Sequence, residues 1–410
     1  MLRLLLTDLM LAVRGILRQP KRSMLAGIAV SGGVAALMLA GGFVEWNFWN
    51  YREATIAAQL GHVRVHQAGF SQSGQADPFA YRLPEASREL DEIRELPGVL
   101  AVAPRLSFTG LVSLEDSTVS FIGEGVEPGQ EHAMSRGLSI RQGRGLGEED
   151  VDGVLVGEGL AANLGLRVGD TIVLMANTEA GGVNAVEGTV QGIFSTISKV
   201  YDDAAVRMHR QAAMRLLRTS GAHAWVVLLE RTEDTDRVYE ALQSSYGGRG
   251  LEFSRWIDSA DFYRKSRELY AKQVIVMKLI IAAIIILSIT NSQMMSVIER
   301  TGEIGTAMAL GSRRRIVLRR FLIEGLVLGV IGAGIGLAAG GALALLISWI
   351  GIPIPPPPGM AHGYDGEIML SANIAVDAVV LAVVTTCAAS LYPAWKASRM
   401  VIVDALRFNR

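Results

Sequence analysis

Four apolar runs, at 24–44, 274–297, 321–350 and 374–391, dominate the hydropathy of the chain. A bilayer-crossing helix needs about 20 predominantly apolar residues, so each run predicts a span. The first is long for a secretory signal core and has no clear small-residue cleavage site before Trp46, so it reads as retained. Residues 45–272 have a different grain. Period-two alternation begins at Gly61-His62-Val63-Arg64-Val65-His66 and predicts strands at 99–103, 106–114, 118–123, 166–174, 188–194 and 225–229. Helical spacing marks 86–96, 159–164, 211–218 and 234–245, while Pro97-Gly98 and Gly169-Asp170 punctuate turns.

The fold class that follows is an α-helical membrane protein with four transmembrane helices plus a large α+β extracytoplasmic domain inserted between helices 1 and 2. Residues 1–22, with apolar and basic positions at helical spacing, predict an interfacial amphipathic helix. The spans are set at 23–46, 272–298, 316–350 and 373–394, and the inserted domain at 47–271. That domain divides into a mixed α/β core (60–123 and 221–255) and a β-rich lobe (124–220). Residues 256–297 read as one helix running from the domain into the second span. A loop at 351–372 opens Ile352-Pro353-Ile354-Pro355-Pro356-Pro357-Pro358, which predicts extended polyproline-like chain, and 395–410 form a tail. Pro393 is expected to kink or end the fourth span.

Charge sets the orientation. The chain has 39 basic and 40 acidic residues, so its overall balance points to no nucleic acid or acidic partner. Lys and Arg gather before the first span (Arg14, Arg18, Lys21, Arg22), between the second and third (Arg300, Arg313, Arg314, Arg315, Arg319, Arg320) and after the fourth (Lys396, Arg399). The 351–372 loop has none, which places both termini and the 299–315 segment in the cytoplasm and the inserted domain outside. The single cysteine, Cys387, lies in an apolar run and excludes an internal disulfide framework. His62 and His66 stand about 13 Å apart along a strand and cannot share a metal. No phosphate loop, zinc-protease or nucleophile-elbow motif is present, and the four apolar runs hold only Glu324, Asp377 and Lys278 as charged groups. Energy for any transport must come from a partner.

Small residues suggest how the spans pack. Gly332, Gly336 and Gly340 recur every four residues and form one smooth helix face. The first span ends in aromatic residues, Phe43, Trp46, Phe48 and Trp49. They read as an interfacial belt or, with Met277, as the lining of an opening to the outer leaflet where an acyl chain could enter.

The segment 299–320, ERTGEIGTAMALGSRRRIVLRR, puts acids first, arginines last and Gly311 where a helix would stop. Its Glu299-Arg300-Thr301-Gly302-Glu303-Ile304-Gly305 and Met308-Ala309-Leu310-Gly311 resemble the cytoplasmic coupling helix of type VII ABC-transporter permeases: lipoprotein-release, macrolide-exporter-type and cell-division permeases. Tyr392-Pro393-Ala394, Ala397-Ser398-Arg399 and Asp404-Ala405-Leu406-Arg407 resemble the same family's C-terminus. The resemblance implies a non-catalytic membrane subunit worked by mechanotransmission. Glu299, Arg300, Glu303, Ile304, Met308, Leu310, Gly311 and Arg313 would couple it to a cytoplasmic ABC ATPase dimer that holds ATP and Mg2+, this chain binding no cofactor itself. The other implied partners are a second permease copy or paralogue, membrane lipids and a periplasmic adaptor or carrier. Lipoprotein or lipid-like cargo taken from the outer leaflet of a bacterial inner membrane is the first reading. A tripartite efflux or secretion pump, or a signal transmitter that activates a cell-wall hydrolase, are the alternatives.

Overall fold

The computed structural model describes residues 10, 14, 18, 20–74, 76–134, 137–356 and 362–407. By its contacts the chain forms two compact units, one of residues 49–266 with 354–364 and one of residues 1–48, 267–353 and 365–410. Helix α1 (Pro20–Thr55) runs straight into a π-helical turn, Ile56–Leu60. Gly61 ends it with φ +64°, donating its N–H to Ile56 O at 2.8 Å; a Cβ there would lie 2.3 Å from Val226 Cγ1, so only glycine fits.

Beyond Gly61 the inserted domain is built on one ten-stranded sheet of order β10-β1-β9-β2-β3-β8-β5-β7-β4, with β6 laid against β2 and β7. In chain order its elements are β1 (Val63–Gln67), α2 (Arg88–Arg94), β2 (Val99–Leu114), β3 (Ser117–Val126), α3 (Pro128–Met134), β4 (Ser139–Gly143), β5 (Gly153–Gly157) and α4 (Glu158–Leu164). They continue with β6 (Thr171–Asn177), β7 (Val183–Ser195), β8 (Ala205–His209), α5 (Arg210–Leu217), β9 (Ala224–Leu229), α6 (Thr235–Tyr246) and β10 (Leu251–Arg255). Alternation along the strands sends one set of side chains into two apolar cores. Val63, Val65, Leu90, Val102, Trp225 and Val227 belong to the first; Leu106, Phe121, Val156, Leu174, Val206 and Leu216 to the second.

Strand β2 joins those cores and moves the expected boundary between the lobes. Its first half pairs with β9 as far as Arg105, and its second half pairs with β3 and β6. Residues 106–123, assigned by pattern to the first lobe, therefore pack in the second. The two strands expected on either side of Pro104 are one, because proline's missing N–H costs a single ladder bond at the point where the strand changes core. Strands β8 and β10 and the elements α3 and β4 were not predicted. The first two are short, and the last two lie in a stretch that reads as loop.

Among the described residues, four helices are long and apolar enough to cross a membrane. They are α1, α7 (Asp261–Glu299), α9 (Arg314–Ile350) and α10 (Ala372–Ser398), with the short α8 (Thr301–Ala309) between the second and third and α11 (Ile402–Arg407) at the end. Several expectations change here. The helix into the second span begins at Asp261 and not at 256; a separate turn, Trp256–Ser259, ends at Ala260, whose ψ of +59° is not helical. Pro393 lies buried within α10, which continues to Ser398. The proline-rich loop is in part a two-stranded ladder of β11 (Ile352–Ile354) and β12 (Tyr364–Gly366). Residues 357–361, most of 1–19 and 408–410 lie outside the described residues, and with them most of the predicted amphipathic helix.

Glycines bring the spans into backbone contact. A Cβ on Gly332 would lie 2.8 Å from Val30 Cβ, on Gly336 2.7 Å from both Ser31 O and Val34 Cβ, and on Gly340 3.0 Å from Ala35 Cα. Gly325 and Gly329 close on Ser390 and Thr386 of α10 in the same way. In lipid, packing and interhelical hydrogen bonds drive association, so smooth faces carry the bundle. Gln293 Nε2 adds a buried bond to Ser390 Oγ at 2.9 Å, and Lys278 Nζ meets Asp377 Oδ2 at 2.9 Å. Gly336→Ala should destabilise the bundle by about 1–3 kcal/mol, whereas Gly334→Ala, with nothing within 4 Å of its Cβ, should not. Both changes gain the same helix propensity, so their difference in thermal midpoint in detergent isolates the contact.

Candidate coupling site

Helix α8 is short because its sequence stops it at both ends. Arg300, with φ −97° and ψ +13°, breaks from α7, and Gly311, with φ +95°, turns the chain out toward Arg313, the N-cap of α9. Thr301, Ile304, Gly305 and Met308 recur at helical spacing and are buried. Ile304 and Met308 pack with Val297, Val317, Phe321, Ala394 and Ala397, and a Cβ on Gly305 would lie 2.7 Å from Ala405 Cβ of α11. The opposite face, Glu303, Thr306, Ala309 and Leu310, is exposed, Leu310 to 84%.

The charges of the segment are tied inward. Arg300 lies 3.4 Å from Glu324 and 3.6 Å from Glu303, with its guanidinium 5.8 Å from the Phe321 ring centroid. Glu303 also meets Arg18 at 3.4 Å, and Glu299 pairs with Arg22. Arg14, Arg18, Arg300 and Arg320 line a pocket of about 300 Å³ with Glu303 and Glu324.

The predicted coupling residues thus separate into two groups. Glu303 is exposed on α8 and paired with Arg18 and Arg300, and Leu310, Gly311 and Arg313 follow the helix, whereas Ile304 and Met308 anchor it and Arg300 bridges it to α9. Glu299 is the last residue of α7 and lies outside α8. Nor do the arginines close α8: Arg314, Arg315, Arg319 and Arg320 form the first turns of α9, where the macrodipole disfavours them. Thr306 and Ala309 were missed as exposed positions, although the i, i+3, i+4 spacing of Thr301, Ile304, Gly305 and Met308 marks them as the complementary face.

The residues predicted to line an outer-leaflet opening differ in exposure and in contacts. Phe43, Trp46 and Phe48 are half-buried, with Phe48 edge-on to Tyr270 at 5.3 Å, and Trp49 is exposed. Met277 packs against the bundle core around Leu37 and Ile285.

Comparison with known proteins decides the family. Residues 23–245, more than half of the chain, match the MacB-like periplasmic core domain, and residues 275–402 match the FtsX-like permease C-terminal domain. The chain belongs to the MacB-like, FtsX-like family of ABC-transporter permeases. It is 28% identical over 400 residues to the macrolide export ATP-binding/permease protein MacB of Brucella abortus, covering 93% of this chain and 57% of that protein. The chain thus spans little more than half the length of such relatives. It is also 24% identical over 336 residues to the lipoprotein-releasing system transmembrane protein LolC of Xylella fastidiosa, covering 76% and 79% of the two chains. The crystal structure of the periplasmic region of MacB from Actinobacillus actinomycetemcomitans aligns with a TM-score of 0.37 at 15% identity, over 52% of this chain and 95% of that one. As a permease of this family the chain is a multi-pass membrane protein with an extracytoplasmic domain.

Within that domain the two histidines have separate structural bonds. Leu229 donates its N–H to His62 Nδ1 at 3.0 Å, so Nε2 carries the proton and donates to Thr232 Oγ1 at 3.0 Å. Thr232 in turn donates to Glu53 at 2.9 Å. His66 Nδ1 donates to His223 O at 3.0 Å while its ring stacks on Phe70. Burial, aided by Arg52 at His62, lowers both imidazoles to about 4, against the opposing backbone bond at His66. Their folded pKa lies below the ordinary 6.5, so their stabilisation is full above pH 6.5 and is lost as pH falls toward 4. Each should cost on the order of 2 kcal/mol by about pH 5. Thermal melting of the permease in detergent across this range checks it, and replacing both histidines by Asn should flatten the slope.

Proposed function

We propose that this permease transmits the work of an ABC ATPase to its extracytoplasmic domain, removing lipoprotein or lipid-like cargo from the outer leaflet of a bacterial inner membrane. The divided surface of α8 carries this reading. A helix with one face locked into the bundle by Ile304, Gly305 and Met308, and the other exposed at Glu303, Thr306 and Ala309 with Leu310 just beyond its end, moves the spans when a partner grips it. On this reading α8 and both termini are cytoplasmic, and the partner is an ATPase dimer that supplies ATP and Mg2+. The chain works as a dimer with a second copy or a paralogue. It transmits motion and catalyses no step itself. The likeness to LolC over most of both chains supports lipoprotein-type cargo.

A second reading has its own support. The Brucella MacB relative matches 93% of this chain, which favours an efflux or secretion pump working with a periplasmic adaptor. Pull-down of the solubilised permease with mass spectrometry of proteins and lipids separates the two. Acylated protein with an ATPase is the expected result; an adaptor without acylated cargo would favour the pump.

Reversing charge at Glu303 to Arg should abolish permease-dependent stimulation of the co-purified ATPase while folding stability falls by only about 1–2 kcal/mol, since its pairs with Arg18 and Arg300 are solvent-exposed. Unchanged stimulation would sink the coupling role of α8.

A further inference from the structure

The outer end of helix α1 is held by charged groups that the transport reading does not yet use. Arg64 on β1, Arg105 on β2, Glu124 on β3 and Arg207 on β8 project from one face of the sheet, opposite the apolar cores. The registers place them there, with Glu124 directly beside Arg207, Arg64 beside Val226, and Val226 beside Ala103, which shares its face with Arg105. Arg105, Glu124 and Arg207 are 3%, 7% and 2% exposed.

The arginines reach the last carbonyls of α1 and its π-turn. Arg207 Nη2 donates to Ala58 O, Arg105 Nη1 to Gln59 O at 2.8 Å, and Arg64 to Gln59 O at 2.9 Å and Leu60 O at 3.1 Å. Glu124 Oε2 sits 3.0 Å from Arg207 and 3.7 Å from Arg105. Burial alone would raise the Glu124 carboxyl, but Arg207, Arg105 and Arg64 together pull it below the ordinary range. Burial, reinforced by Arg105, lowers Arg64 to about 10.

Three buried guanidiniums are costly unless negative charge meets them. Beside Glu124 the helix supplies it, because its C-terminal carbonyls carry partial negative charge and have no intrahelical donors. A cap for one helix end needs no such number of buried cations. Here three strands, one of them β2, which passes through both cores, grip three consecutive carbonyls of a helix that continues back to Pro20.

We propose that Arg64, Arg105 and Arg207, held in place by Glu124, are the force-bearing joint through which movement of helix α1 reaches the sheet. This rests on the transmission reading above and adds the residues that bear it. They are positioning residues: they touch neither cargo nor nucleotide.

The test uses the full-length permease with its co-purified ATPase in lipid nanodiscs, on a Cys387→Ala background. Hydrogen exchange is followed with and without ATP and vanadate. Arg105→Gln with Arg207→Gln should speed exchange at residues 56–61, leave ATP turnover unchanged and shrink the nucleotide-dependent exchange change of the domain about fivefold or more. A Cβ on Gly137 would lie 3.0 Å from Ala58 Cβ but also 2.7 Å from Ala54 O and 2.9 Å from Ala58 N, so Ala58→Cys with Gly137→Cys forms a disulfide once the backbone at Gly137 moves back from the helix. That bond should restore the domain's response in the double variant, and reductant should remove it again.

A domain that responds as the parent does while residues 56–61 exchange freely overturns the joint. So does a cross-link that closes and restores nothing. Should the double variant fail to fold, Arg64→Gln alone removes two of the carbonyl contacts and carries the same expectations. Glu303→Arg separates the two failures. If it abolishes the response and the joint variants do not, the joint falls and transmission stands; if it leaves the response intact, transmission itself falls.

Discussion

A helix that ends inside a protein leaves its last carbonyls without intrahelical partners, and the inserted domain is arranged around one such end. The carbonyls of Ala58, Gln59 and Leu60 receive their hydrogen bonds from arginines on three strands. Those arginines must leave the sheet on the face away from the apolar cores, which ties the register of β1, β2 and β8 to the position of the helix. Glu124 then has to stand beside Arg207, because a buried guanidinium without a counter-charge is expensive. The π-turn and Gly61 complete the set, since Val226 leaves no room for a side chain there.

The membrane unit meets a different constraint with different means. Apolar side chains gain little by leaving lipid for one another, so the helices approach until backbones touch, at Gly332, Gly336 and Gly340 against α1 and at Gly325 and Gly329 against α10. The few polar groups in the spans pair locally, Gln293 with Ser390 and Lys278 with Asp377. A bundle held by shape gives way less easily than one held by long flexible side chains.

Helix α8 has to be firm on one side and available on the other. Ile304, Gly305 and Met308 supply the firm side, and Arg320 from the first turns of α9 lines the pocket that holds Glu303 and Glu324. Glu303 and Glu324 hold Arg300 between them, so the segment's charge is spent on its own geometry before any partner arrives. Leu310, 84% exposed, is the apolar group left over.

Much of this was legible in the residues themselves. Length and hydropathy alone determine the four spans, and a four-residue glycine repeat marks a packing face because small residues have that effect on any helix. The family motif around Glu299–Gly311 is local too. The tertiary structure decided what depends on partners distant in sequence: that β2 runs through Pro104 and carries residues 106–123 into the second core, that Pro393 sits within α10, and that Ile304 and Met308 face inward. It also decided the meaning of Arg64, Arg105, Glu124 and Arg207. In sequence they are ordinary polar positions in alternating strands, and only long-range pairing collects them on one face against the end of a helix. Alternation tells which side of a strand a residue takes; what waits on that side is set by the rest of the chain.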